Sequence, residues 1–408
     1  MRAARLLPVV LLAGLTACGS GDADRGAAAR VQVDTLPGGA VRTVSEAPVD
    51  SGAWRLTLAH RIQPAADDSG ELMQPRDLVL TDDGTLLVSE ESDAHVKVFN
   101  AAGQYVRRIG RNGEGPGEFR VAFLAARGDT LLVQDPMTGR ASTFRISDGA
   151  FLQSRPTTCC YWSPLDVDGQ ARAVLPANHS PSDSTLGPAM AYIRAAFGEN
   201  SADTVFVWRR RSATAPYWEI GDGRTMQMRM PVPYAPRNVE AVDRRGGWIT
   251  AWTGEYLLRA TSNGSDTTAL FGRPYTPPRV SSADKDRLVD ARIADMTAAN
   301  TGLPEAALRA GMPASRIPDE RPAFEQFRTD GAGRTWVRRL TDDSTSHVEY
   351  DLFDADRRWL DVIRIPRAGW PAQAFAPMAW SADRVAVAVE DDEGRPAVLV
   401  YTIERVAP

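Results

Sequence analysis

The chain has 408 residues, 43% hydrophobic and 24% charged, with 33 Gly, 28 Pro and a formal net charge of -5, which excludes disorder, collagen and a coiled coil. With 47 basic against 52 acidic residues and no basic tract longer than Arg209 to Arg211, nothing is built to neutralise a phosphate backbone, and nucleic acid is not an expected partner. Three Cys and four scattered His furnish neither a disulfide framework nor a Cys/His zinc cluster.

Residues 1 to 17 carry Arg2 and Arg5 and then an apolar run from Leu6 to Leu15, too short to span a membrane and of the form of a removable export signal. The next residues, Leu15-Thr16-Ala17-Cys18-Gly19, resemble the lipobox of bacterial lipoproteins, which implies cleavage before Cys18 and lipidation of its thiol. Loss of Arg2 and Arg5 would move the charge from -5 to about -7, and acyl chains would hold the protein on a membrane that the chain does not cross. Gly19 in place of the Asp that marks inner-membrane retention points to the outer membrane of a bacterial envelope. Residues 18 to 30 have no apolar face and read as a flexible tether, with the folded part starting near Val31.

Repeats organise the rest of the chain. Arg61-Ile62 precedes Gly70-Glu71-Leu72, and Arg108-Ile109 precedes Gly117-Glu118-Phe119, at an offset of 47. Thr85-Leu86-Leu87-Val88-Ser89-Glu90 matches Thr130-Leu131-Leu132-Val133-Gln134-Asp135 at an offset of 45, each followed by an aromatic (Phe99, Phe144) and a turn glycine (Gly103, Gly149). The first unit reads as four strands, Asp77 to Thr81, Thr85 to Ser89, His95 to Asn100 and Gln104 to Ile109, with an Asp83-Gly84 hairpin. Weaker copies run from Pro164 to Trp208, Asn238 to Phe271, Phe324 to Ile365 and Pro377 to Glu404, giving six units. Four-stranded units of this period indicate an all-β, six-bladed β-propeller. The last unit has only three strands in sequence, and Trp54 to Ile62 is expected to supply its fourth, closing the ring.

Pro75-Arg76-Asp77 with Thr81-Asp82-Asp83-Gly84, and the linker Gly113-Glu114-Gly115-Pro116-Gly117-Glu118-Phe119, resemble NHL-type six-bladed propellers over roughly residues 54 to 405. Two inserts depart from the repeat. In residues 281 to 311, Ser281 and Asp284 form a capping box, Val289, Ile293 and Met296 share a helix face, and a second helix runs from Pro304 to Ala310. This helical pair is expected on a face or side of the ring, as lid or as buttress. The stretch Arg209 to Tyr234 is aromatic and Met-rich, and Thr225 to Met230 is a candidate strand.

In propellers of that kind, the segments leading into each innermost strand and those leaving each second strand open on one face. The resemblance therefore groups Arg76, Asp77, Arg237, Asn238 and Glu325 with Glu90, Asp135, Arg338 and Glu390 as a mixed-charge ring at the channel mouth. It is either a ligand site or a self-paired, solvated funnel. Likeness to calcium-dependent, lactonase-like propellers makes Glu90, Asp135, Asn238 and Glu325 candidate calcium ligands, although Arg76, Arg237 and Arg338 would repel the ion. His60, His95, His179 and His347 are poorly placed for a zinc lyase, and neither a nucleophile elbow nor a phosphate loop occurs. Cys159-Cys160 is either a vicinal disulfide or two free thiols. Tyr217-Trp218 is a candidate exposed pair for stacking on a sugar or peptide. The leading expectation is a lipid-anchored, non-catalytic propeller binding an envelope protein, peptide or glycan; a calcium-dependent hydrolase or lyase is the alternative, and an envelope scaffold a third.

Overall fold

The computed structural model describes residues 31–65, 69–91, 94–157, 164–176, 189–197, 202–208, 216–221, 227–299, 302–341, 345–370 and 377–406. The signal segment, Cys18, the tether, Cys159, Cys160, Tyr161, Trp162, His179 and Arg209 to Arg211 lie outside the described residues.

The apolar run Leu86–Glu90 shows why this sequence makes blades. Successive strand side chains point to opposite faces. Leu86 and Val88 pack towards Ala386, Ala388, Val398 and Val400 of the last blade, whereas Leu87 packs towards Leu124, Leu131 and Val133 of the next one. A strand sandwiched between two neighbouring sheets is therefore apolar at consecutive positions, and each such fully buried side chain contributes roughly 1.5–3 kcal/mol.

Six four-stranded antiparallel arrangements form the ring: blade I from Pro75–Leu80 to Tyr105–Ile109, blade II from Phe123–Arg127 to Phe151–Pro156, blade III from Asp166–Val167 to Ala202–Trp208, blade IV from Asn238–Val242 to Ala269–Gly272, blade V from Gln326–Thr329 to Trp359–Pro366, and blade VI from Met378–Trp380 through Pro396–Arg405. The fourth strand of blade VI is Trp54–Ile62, paired antiparallel with Pro396–Arg405, so the start of the chain closes the ring on its end. The aromatic of the third strand marks a shared irregularity. The register against the outer strand shifts at Val98/Phe99, Thr143/Phe144 and Leu352/Phe353. Phe99, Phe144 and Phe353 are fully buried, and Gly103 and Gly149 take φ of 76° and 77° in the adjoining turns.

A hairpin of Val31–Thr35 and Val41–Ser45 adds to the outer edge of blade IV, Val41–Ser45 running parallel to Ala269–Gly272. The chain then crosses blade V, where the amides of Val49 and Asp50 donate to the carbonyls of Trp359 and Leu360 at 2.9 Å, before it enters blade VI.

The two inserts fold together. Helix α1 (Ser282–Ala298) starts with the Ser281/Asp284 capping box and buries Val289, Ile293 and Met296. Helix α2 (Glu305–Gly311) packs on the hairpin Tyr217–Gly221/Gln227–Pro231, and the shared core includes Trp218, Ile220, Leu308 and Met312. A Cβ at Gly311 would lie 2.8 Å from the Glu219 carbonyl oxygen, so only glycine allows this approach. The expected exposed pair is corrected here: Trp218 is 0% exposed, with its indole N–H donating to the Pro313 carbonyl at 3.2 Å, and only Tyr217 reaches solvent. No helix among the described residues is long and apolar enough to cross a membrane.

Candidate functional site

Each innermost strand is preceded by a segment that must satisfy its own backbone amides, and in three blades the end of the second strand supplies the acceptor. The amide of Gln74 donates to Glu90 at 2.7 Å, that of Arg120 to Asp135 at 2.8 Å, and that of Arg237 to the Thr253 hydroxyl at 2.9 Å. Glu90 is fully buried and also pairs with buried Lys97 at 3.2 Å. Asp135, 2% exposed, further accepts from the Met137 amide and the Thr138 hydroxyl, both at 2.9 Å. These two buried carboxylates latch loops to blades. A buried acceptor of several backbone N–H groups has little capacity left for another partner.

The remaining ring residues divide between two places. On blade I, Arg76 pairs with Glu91 and stands 5.7 Å from the centroid of the Phe123 ring. Asp77 is 5% exposed and accepts from the amides of Leu78 at 3.0 Å and Leu124 at 2.8 Å, the second bond joining blade I to blade II. Burial raises its pKa to about 7 against the opposing pull of those amides and of Arg328 and Arg76. Arg328 belongs to blade V, which blade VI separates from blade I, so its pull on Asp77 reaches past the intervening blade.

Between blades IV and V the structure brings Arg237, Asn238, Glu325 and Arg338 together. Arg237 donates to the Glu325 carbonyl at 2.9 Å, and Arg338 lies 2.8 Å from the Glu325 carboxylate. Desolvation lowers the proton affinity of Arg237, Arg338 adds to this and Glu325 opposes it; the guanidinium stays charged. Next to them is a cleft of about 230 Å³ lined by Arg237, Asn238, Glu240, Gln326 and Arg328, with Val239 and Phe327 as its apolar part. On the other side Arg338 stands 5.6 Å from the ring of Trp370, in the segment leading to blade VI. Glu390 is exposed at the end of its strand, and its backbone amide donates to the Gly369 carbonyl beside Trp370.

Sequence reasoning missed Glu240, Gln326, Arg328 and Trp370. A signal existed: Gln326-Phe327-Arg328 and Asn238-Val239-Glu240 place polar residues at alternate positions of two innermost strands. The four proposed calcium ligands are not assembled, since Glu90 and Asp135 serve other blades, and no group of three metal-ligating side chains occurs among the described residues. His347 pairs with Glu349 at 3.4 Å on the third strand of blade V, His60 is on the outer strand of blade VI, and His95 is half-buried beside the third strand of blade I.

Residues 66–153, spanning blade I and nearly all of blade II, match a family described as a 6-bladed beta-propeller. No curated protein matches the chain. Among solved structures, a candidate exported protein of Bacteroides fragilis is similar at 10% identity, covering 89% of this chain and 98% of its own, with a TM-score of 0.46. A duf4221 family member from Bacteroides vulgatus gives 9% identity, 88% and 100% coverage and a TM-score of 0.47. The PQQ-bound aldose sugar dehydrogenase of Streptomyces coelicolor gives 11%, 88%, 100% and 0.40.

Proposed function

We propose that this chain is a lipid-anchored, extracytoplasmic propeller of the bacterial envelope that binds a ligand or partner at its channel mouth without transforming it. The observation that supports this reading is the cleft between blades IV and V, where Arg237 and Arg328 border open space beside the Arg338–Glu325 pair. Clefts with a few convergent polar groups on a rigid ring suit recognition, and fixed innermost strands hold those groups in place. The anchor at Cys18 and the tether to Val31 would leave the ring free of the membrane surface.

The test is a thermal-shift screen of the full chain with envelope peptides, glycans and small acids, run beside Arg237→Glu. A ligand that binds the native state raises the melting temperature by mass action. The reading expects compounds that stabilise the wild type and not the variant; a screen in which wild type and Arg237→Glu respond alike throughout would refute it. A calcium-dependent rise lost in Glu325→Gln would instead support the hydrolase alternative.

A further inference from the structure

Arg328 is half-buried on an innermost strand, and no hydrogen bond or ion pair of its guanidinium is made among the described residues. An arginine held in a concave site keeps a strong requirement for an acceptor, since its planar fork carries five N–H donors and does not lose its proton. Asp77 of blade I attracts it without a direct contact.

The charge around the cleft sets what could meet that requirement. Arg237, Arg328 and Arg338 contribute three positive charges and Glu240 and Glu325 two negative ones, leaving one positive charge to balance. A monoanion neutralises the site, whereas a dianion such as phosphate would overshoot and face Glu240 and Glu325 at close range. Asn238 and Gln326 add amide groups that can both donate and accept, which suits hydroxyls, and Val239 and Phe327 provide an apolar contact. The volume, about 230 Å³, is below the usual range of drug-sized sites and admits one small ligand or one terminal residue of a larger one.

We propose that this cleft is a carboxylate site for a hydroxylated monocarboxylic acid of the sugar-acid class, with Arg328 as the anchor of the carboxylate and Arg237 as its second charge. This rests on the channel-mouth reading and names the ligand class for it. The carboxylate would displace water from the guanidinium fork and accept paired N–H bonds, the geometry in which Arg exceeds Lys.

Calorimetric titration of the full chain with galacturonate, galactose and inorganic phosphate tests this. Galacturonate should bind, neutral galactose should bind at least about tenfold more weakly, and phosphate should not exceed galacturonate. Arg328→Gln should weaken galacturonate by about tenfold or more with an unchanged melting temperature, and Arg328→Lys should lose less because it keeps the charge. Equal binding of galacturonate and galactose, tighter binding of phosphate, or an unaltered Arg328→Gln would overturn the assignment. If another compound stabilises the chain through Arg237 while Arg328→Gln has no effect on it, the channel-mouth reading stands and the sugar-acid class fails; if no compound responds to either substitution, both fail.

Discussion

Asp77 couples a blade junction to pH. Its carboxylate bridges blades I and II through the Leu124 amide, and burial raises its pKa from 3.8 to about 7. Between those values the folded protein holds a proton that the unfolded chain gives up, so stability falls as pH rises from about 4 to about 7. A shift of this size corresponds to an effect on the order of 4 kcal/mol. Asn keeps an oxygen for the Leu124 amide and has no charge to desolvate. The melting temperature of Asp77→Asn relative to wild type should therefore climb between pH 4 and pH 8, and parallel curves would show that Asp77 is ionised throughout. Arg357 illustrates a different residue-scale compromise. It takes φ of 66° in the blade V turn, at the place where blades I and II use Gly103 and Gly149, while its guanidinium pairs with buried Asp243 and lies 4.7 Å from the ring of Phe271. A non-glycine residue in this conformation costs about 1–2 kcal/mol, which the link to blade IV offsets. Acidic residues were only partly legible at this scale. The phase of the repeat put Asp77 and Glu325 at the entries to innermost strands, but nothing in Val88-Ser89-Glu90 distinguishes an acid facing water from one consumed by the amides of Met73 and Gln74.

Among the elements, the blades and the insert differ in how they are held. A blade shares its core with both neighbours, whereas α1, α2 and the Tyr217–Gly221 hairpin share one core among themselves around Trp218. Helix periodicity and the capping box made α1 readable, because both are set by residues within one or two turns. The partner hairpin was only half readable: its second strand was foreseen as Thr225 to Met230 and is Gln227–Pro231, but its burial depends on a helix some 80 residues later. Local coring has a mechanical consequence, since damage there should stay there. Trp218→Ala removes a fully buried indole and its bond to the Pro313 carbonyl, a change worth about 3–5 kcal/mol. Hydrogen exchange should then show lost protection across Ser282–Ala298 and Glu305–Gly311 with the strands of blades I and VI unchanged. Equal loss in those blades would mean that insert and ring unfold as one unit.

For the whole molecule, the decisive bond is the one between the ends of the chain. Closure by Trp54–Ile62 was legible because Leu58 to Ile62 occupies the repeat position held by Val106 to Ile109 in the next unit, so the phase of the repeat carries the topology. The Val31–Ser45 hairpin was not legible, although Gly38 and Gly39 sit between two alternating runs, because its partner on blade IV is more than 200 residues away and belongs to no repeat position. A ring closed this way shares its last blade between the two termini, and separating them exposes edges on both sides. Thr57 and Thr402 face each other in that pairing, and the Thr402 hydroxyl donates to the Thr57 carbonyl at 3.3 Å. Cysteines at both positions would close a loop of 345 residues. In the chain-entropy account such a crosslink stabilises by about 6 kcal/mol, less whatever strain the disulfide introduces. Oxidised Thr57→Cys/Thr402→Cys should melt well above its reduced form, with Thr57→Ser/Thr402→Ser insensitive to reductant. An oxidised form melting no higher than the reduced one, with the crosslink verified by mass, would mean that the ring opens at another blade junction first, and the junction of Asp77 with Leu124, weakened as pH rises through 7, is the place to look.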